Sequence, residues 1–119
     1  MSKIRYIVDD VDEAIAFYRG RLGFEVERHP APGFAALTRG DLTLLVNQPG
    51  AGGAGKAGGK PVPGGWARFQ IEVDDLDLLV EQLSSAGVEM KGDVVEGQGG
   101  KQALAVDPSG NLVELFQPA

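Results

Sequence analysis

One histidine, seventeen carboxylates and no cysteine are the reactive groups of this 119-residue chain. Without cysteine there is no thiol nucleophile, no thiolate metal site and no disulfide framework. His29 is the single imidazole able to act as an acid or base near neutral pH. With Pro30 behind it, it falls at a strand end, and it stands as a candidate catalytic group. Many of the carboxylates fall in two runs, Asp9-Asp10-Val11-Asp12 and Asp74-Asp75-Leu76-Asp77. Each looks at first like an acidic cation loop. Each also directly precedes a stretch of helical apolar spacing, where aspartate caps the first turn and complements the helix dipole. Asp10 and Glu13 have the D-x-x-E form of a capping box. Capping is therefore their expected role. The glycines between 48 and 65 are not followed by Gly-Lys-Ser/Thr, so they make no phosphate loop.

The two runs are copies of one another. Val8-Asp9-Asp10-Val11-Asp12 returns 65 residues later as Val73-Asp74-Asp75-Leu76-Asp77. A fixed internal period is the first sign of a repeated architecture. Around each copy the pattern is the same. Residues 3–9 read as a strand, and Val11, Ala14, Ile15, Tyr18 and Leu22, with Phe17 beside them, read as a helix stopped by Gly20 and Gly23. Strands follow over 24–28, 34–38 and 42–46, separated by turns at Pro30 to Gly33 and Gly40-Asp41. In the second copy a strand over 66–73 precedes a helix with Leu76, Leu79, Val80, Leu83 and Ala86 on its buried stripe. Gly87 ends that helix. Strands around Val94-Val95, over 102–106 and over 111–117 complete it, with turns at 97–100 and 107–110. Both copies read β-α-β-β-β.

One domain of 1–119 is expected, with module one over 1–47, a linker over 48–65 and module two over 66–119. The linker holds nearly half of the eighteen glycines and, apart from Val62, no bulky apolar residue. Such composition predicts a mobile connection rather than a lid, which would carry side chains to press on a ligand. A net charge of −6 argues against partners whose phosphates need Lys and Arg, so neither nucleic acid nor an anionic membrane is expected. It permits a cationic ligand. No apolar run is long enough to span a bilayer and no signal-peptide core opens the chain, so a cytoplasmic location is the expectation.

Three stretches carry a resemblance. They are Val8-x-Asp10-x3-Ala14-x2-Phe17-Tyr18-x3-Leu22-Gly23-Phe24, Val73-Asp74-Asp75, and Asp107-Pro108-x-Gly110-Asn111-x2-Glu114-Leu115. In this order the chain resembles the vicinal oxygen chelate superfamily, that of glyoxalases, bleomycin-resistance proteins and extradiol dioxygenases. The resemblance implies an α+β fold of two βαβββ modules related by pseudo-two-fold symmetry. Their curved mixed sheets surround a cleft, and dimerisation completes the assembly. It also implies four metal-ligand positions in the metal-dependent members, which fall here on Lys3, Leu44, Arg68 and Glu114. Only Glu114 is of a ligating type, since a guanidinium cannot lose its proton and leucine has no donor. No metal and no cofactor are therefore expected, as in the bleomycin-resistance branch.

The candidate ligand-binding residues are Arg5, Phe34, Trp66, Arg68 and Glu114. Arg5 shares a strand face with Lys3, whereas Tyr6 points the other way. Phe34 and Trp66 are flat surfaces for stacking or for packing, and strict alternation puts Trp66 on the face of Arg68. Glu114 is either a base, with His29 as the other catalytic candidate, or a carboxylate paired with Arg68 or Lys3. The leading functional reading is a metal-independent protein that sequesters an aromatic or natural-product-like small molecule, such as an antibiotic, in a cleft of a homodimer. An enzyme of the same superfamily is the alternative, a glyoxalase- or dioxygenase-like member or a metal-free lyase or isomerase using Glu114, His29, Tyr6 or Arg68. A domain with a vestigial cleft is the third.

Overall fold

The structure, a computed structural model, describes residues 3–119 as two compact units divided between Gly64 and Gly65. The first contains β1 (Lys3–Ile7), α1 (Val11–Leu22), β2 (Glu25–Ala31), β3 (Phe34–Arg39) and β4 (Leu42–Asn47). The second contains β5 (Arg68–Glu72), α2 (Leu76–Ser85), β6 (Val95–Gly97), β7 (Gly100–Val106) and β8 (Leu112–Pro118). The sheet orders match: β1-β4-β3-β2 in one and β5-β8-β7-β6 in the other. In each, the first strand runs parallel to the last and the remaining pairs are antiparallel. The expected α+β fold of two βαβββ modules is what forms.

Both acidic runs do the work of caps. Asp10 Oδ1 accepts from the Glu13 amide at 3.1 Å, and Asp75 Oδ1 accepts from the Leu78 amide at 3.1 Å. Each thus satisfies one amide that the first helical turn leaves without a partner. The Leu76 amide of α2 is met separately by Gln117 Oε1 of β8 at 2.8 Å, which ties the helix start to its own sheet. Asp10→Ala and Asp75→Ala should each cost about 1 kcal/mol. Urea unfolding should show this as a lower midpoint with an unchanged slope.

In α1 the buried residues are Val11, Ala14, Phe17, Tyr18 and Leu22. Of the residues read at helical spacing Ile15 is only half-buried, whereas Phe17 beside them is buried. Tyr18 stands edge-on to both Phe17 and Phe24, at centroid distances of 4.9 and 5.4 Å. In α2 only Leu76 and Leu83 are fully buried, while Ala86 is exposed. Each sheet alternates. Tyr6, Leu37, Leu44 and Val46 are buried on the face that α1 covers, and Phe69, Ile71, Val113 and Leu115 on the face that α2 covers. The intervening residues form a helix-free face on each sheet.

The Asp-Pro-Ser-Gly-Asn turn that joins β7 to β8 is closed by one side chain. Asp107 Oδ1 accepts from the amides of Ser109 at 2.9 Å and Asn111 at 2.8 Å, and Oδ2 accepts from Asn111 Nδ2 at 3.1 Å. The motif thus fixes the β7–β8 register, and through it the row on which Glu114 lies.

Module one and the linker depart from the sequence reading in two ways. β2 continues through His29 and Pro30 to Ala31, because it is the edge strand of its sheet and can spare a proline amide. The linker is not wholly irregular. The Gln48 amide returns to the Gly33 carbonyl at 3.0 Å, and a single 3₁₀ turn forms over Ala54–Ala57.

Candidate functional site

In module two, Gln70 on β5 lies beside Glu114 on β8, and Arg68 beside Leu112. Alternation places Arg68, Gln70 and Glu114 together on the helix-free face. Arg68 Nε donates to Glu114 Oε1 at 2.9 Å, and Gln70 Nε2 donates to Oε2 at 2.6 Å. The Glu114 side chain is 12% exposed and that of Arg68 34%. With the Arg68 end a third open to water, the ion pair adds about 1 kcal/mol to stability. Its consequence is chemical, since each carboxylate oxygen accepts one hydrogen bond from the chain and the charge has a cationic partner. Arg68 was an anticipated partner. Gln70 was not named from the sequence, although two-residue spacing from Arg68 on a strand already puts it on the same face.

Trp66 precedes β5 rather than opening it, because the pairing with β8 begins at Arg68 opposite Leu112. Strand alternation therefore does not fix its direction. The residue is 62% exposed, with Lys91 Nζ 4.6 Å from the ring centroid. Lys101, elsewhere in this module, donates to Asp77 at 2.7 Å, and that hydrogen bond raises its pKa above the usual lysine value. Cavities of about 210 and 260 Å³ flank the β6–β7 hairpin, and neither is lined by Arg68 or Glu114.

In module one, Lys3, Arg5 and Ile7 share the helix-free face, whereas Tyr6 is buried on the other. Arg5 Nη1 donates to Asn47 Oδ1 at 2.6 Å. Asn47, not singled out from the sequence, is 1% exposed, and its Nδ2 donates to the carbonyls of Gln48 at 2.9 Å and Ala51 at 3.0 Å. Its place at a strand end before a glycine-rich stretch was the available signal. Phe34 is half-buried, with the Arg28 guanidinium carbon 5.5 Å from its ring centroid. His29 lies exposed within β2.

The strand registers correct one assignment. Glu114 is the β8 partner of Gln70, and Gln70 corresponds to Arg5 in the repeat, whose β4 partner is Leu45. The module-one counterpart of Glu114 is therefore Leu45 and not Leu44, which is fully buried on the helix side. Counting from the turn without the pairing misplaced it by one residue, which reverses the face. Leu45 offers no more to a metal than Leu44. The set Lys3, Leu45, Arg68 and Glu114 contains two cations, a hydrocarbon and a carboxylate already bonded twice. These residues do not fit a divalent ion, which needs several carboxylate, imidazole or thiolate donors. Among the described residues no cluster of three His, Asp or Glu side chains is placed to hold one. Nor is any helix among them long and apolar enough to cross a membrane.

The family model described as Glyoxalase/Bleomycin resistance protein/Dioxygenase superfamily matches residues 1–115. A bleomycin resistance protein of Klebsiella pneumoniae is 32% identical over 117 residues, covering 91% of this chain and 84% of that protein. The crystal structure of TnmS3, an antibiotic binding protein from a Streptomyces species, aligns with a TM-score of 0.76 at 26% identity. That alignment covers 98% of this chain and 93% of the other. A superfamily member from Sphaerobacter thermophilus aligns with a TM-score of 0.81 at 22% identity, covering 98% and 95%.

Proposed function

This chain belongs to the glyoxalase/bleomycin resistance protein/dioxygenase superfamily, and from that premise we propose that it is a metal-independent binding protein for a small natural product. It acts by sequestering the ligand, as a homodimer. The observation that carries the reading is the closure of Glu114 by Arg68 and Gln70. The one carboxylate at the superfamily's ligand positions is held as an acceptor on both oxygens. A divalent ion there would have to share this carboxylate with the Arg68 cation, which repels it. Support also comes from relatives named for bleomycin resistance and antibiotic binding. In module one Arg5 and Phe34, and in module two Trp66 and Arg68, are the side chains proposed as ligand contacts.

Calorimetric titration with bleomycin and a panel of planar aromatic antibiotics tests this, with and without EDTA. The expected result is saturable binding of at least one compound, unchanged by EDTA and without chemical change to the ligand. Native mass spectrometry should show two chains with intact ligand. Binding that appears only with an added divalent ion, or turnover of the ligand, would overturn the proposal.

A further inference from the structure

The helix-free face of module one carries charge opposite in sign to that of the whole chain. The registers line up Arg5, Leu45, Ala36 and Arg28 in one row across the sheet. Ile7, Asn47 and Phe34 form the row on one side, and Lys3, Thr43, Thr38 and Glu25 the row on the other. Lys3, Arg5 and Arg28 thus share this face with Glu25, while Glu27 sits unpaired in the bulge between Val26 and Arg28, on a chain of net charge −6. The ion pairs among the described residues, Arg68–Glu114 and Lys101–Asp77, involve neither Arg5 nor Arg28.

Both guanidinium groups are instead held by uncharged partners. Arg5 is oriented by the side-chain oxygen of Asn47, whose Nδ2 donates in turn to the carbonyls of Gln48 and Ala51. Gly52 closes over this pair. A Cβ there would lie 2.6 Å from Arg5 Nη1 and 3.0 Å from Asn47 Nδ2 and would push the guanidinium aside, and the φ of +85° also favours glycine. Arg28 is steadied against the ring of Phe34. Neutral partners set direction without cancelling charge, and they leave most of the five N–H donors of each guanidinium free. Between the two arginines lie Ala36, which is 1% exposed, and Leu45, which is half-buried and supplies the apolar surface there. Three strand spacings separate Arg5 from Arg28, a span of about 14 Å.

We propose that this face binds a planar aromatic anion, its carboxylate or phenolate bonded by Arg5 or Arg28 and its ring lying against the half-buried Leu45 and Phe34. The proposal rests on the binding function above and names the ligand class. The overall acidity of the chain permits a cationic ligand, but screening confines each charge to roughly 8–10 Å, so the local cations decide.

Three matched probes separate the outcomes: anthraquinone-2-carboxylate, its carboxamide and 2-(aminomethyl)anthraquinone, each titrated calorimetrically. The carboxylate should bind about tenfold tighter than the carboxamide, with the amine weakest. Arg28→Gln and Arg5→Gln should each weaken the carboxylate by about tenfold and leave the carboxamide nearly unchanged. Lys60→Gln makes the same change in net charge within the linker and should have no effect. Arg28 is exposed on an edge strand, so its variant keeps the fold, which melting verifies. Equal or tighter binding of the amine overturns the ligand class and leaves the binding function standing, as does an Arg28→Gln variant that behaves like Lys60→Gln. If the carboxylate fails to bind while other compounds of the antibiotic panel do, the ligand class alone falls. Silence toward all three probes and the whole panel defeats both readings.

Discussion

Replacing Asp107 with alanine should cost about 3 kcal/mol or more, the summed effect of leaving buried donors without an acceptor. Asp107 and Asn111 are each 4% exposed, so water cannot easily replace the lost oxygens. The amides of Ser109 and Asn111 and the Asn111 side chain would all lose their bonds together. A thermal scan should show a drop on the order of 10 °C for a chain of this size. Asp107→Asn keeps Oδ1 for the two backbone amides and should lose less than half as much. If the alanine variant melts within a degree or two of the parent, the turn is held by its backbone and not by this carboxylate.

The second large effect is expected at Gly100. It opens β7 at φ +142° with β8 immediately behind it. A Cβ there would overlap the Gln117 carbonyl oxygen and press on Pro118 Cα and Ala119 N, each at 3.0 Å. All three are backbone atoms, which cannot rotate away as a side chain would. Gly100→Ala should therefore cost about 2–4 kcal/mol from overpacking and backbone strain combined. Gly99→Ala is the internal control. Nothing lies within 4 Å of its Cβ position and its φ is negative or extended, so it should stay within about 0.5 kcal/mol of the parent. Equal melting of the two variants would mean that the hairpin shifts to make room.

What was legible in the sequence follows the range of the interactions. Asp10 and Asp75 cap helices through amides three residues away, so spacing alone revealed them. The repeat of 65 residues reproduced identical sheet orders, because each module's strands are written in the same order along the chain. The pairing of Glu114 with Arg68 followed from the resemblance, since it fixed which strands lie side by side. Leu45 was missed because a turn counts residues but only a register assigns faces. Trp66 was taken as part of a strand because its neighbours alternate, yet the ladder starts two residues later. The order in the first part of the linker escaped composition altogether. It depends on Arg5 and Asn47, which come from opposite ends of module one's sequence and meet only when β1 pairs with β4.

The β2 edge carries one more consequence. Its pairing with β3 is broken twice, between Val26 and Arg28 and between Arg28 and Ala31. Pro30 removes an amide, and Glu25, Glu27 and Arg28 load the strand with charge. All seven residues are exposed. An open strand is ordinarily a template on which another chain can grow, and each of these features spoils the template. Concentrated protein is thus protected from fibre-like stacking along this side by the sequence of one strand, and Pro30→Thr would remove the simplest of its safeguards.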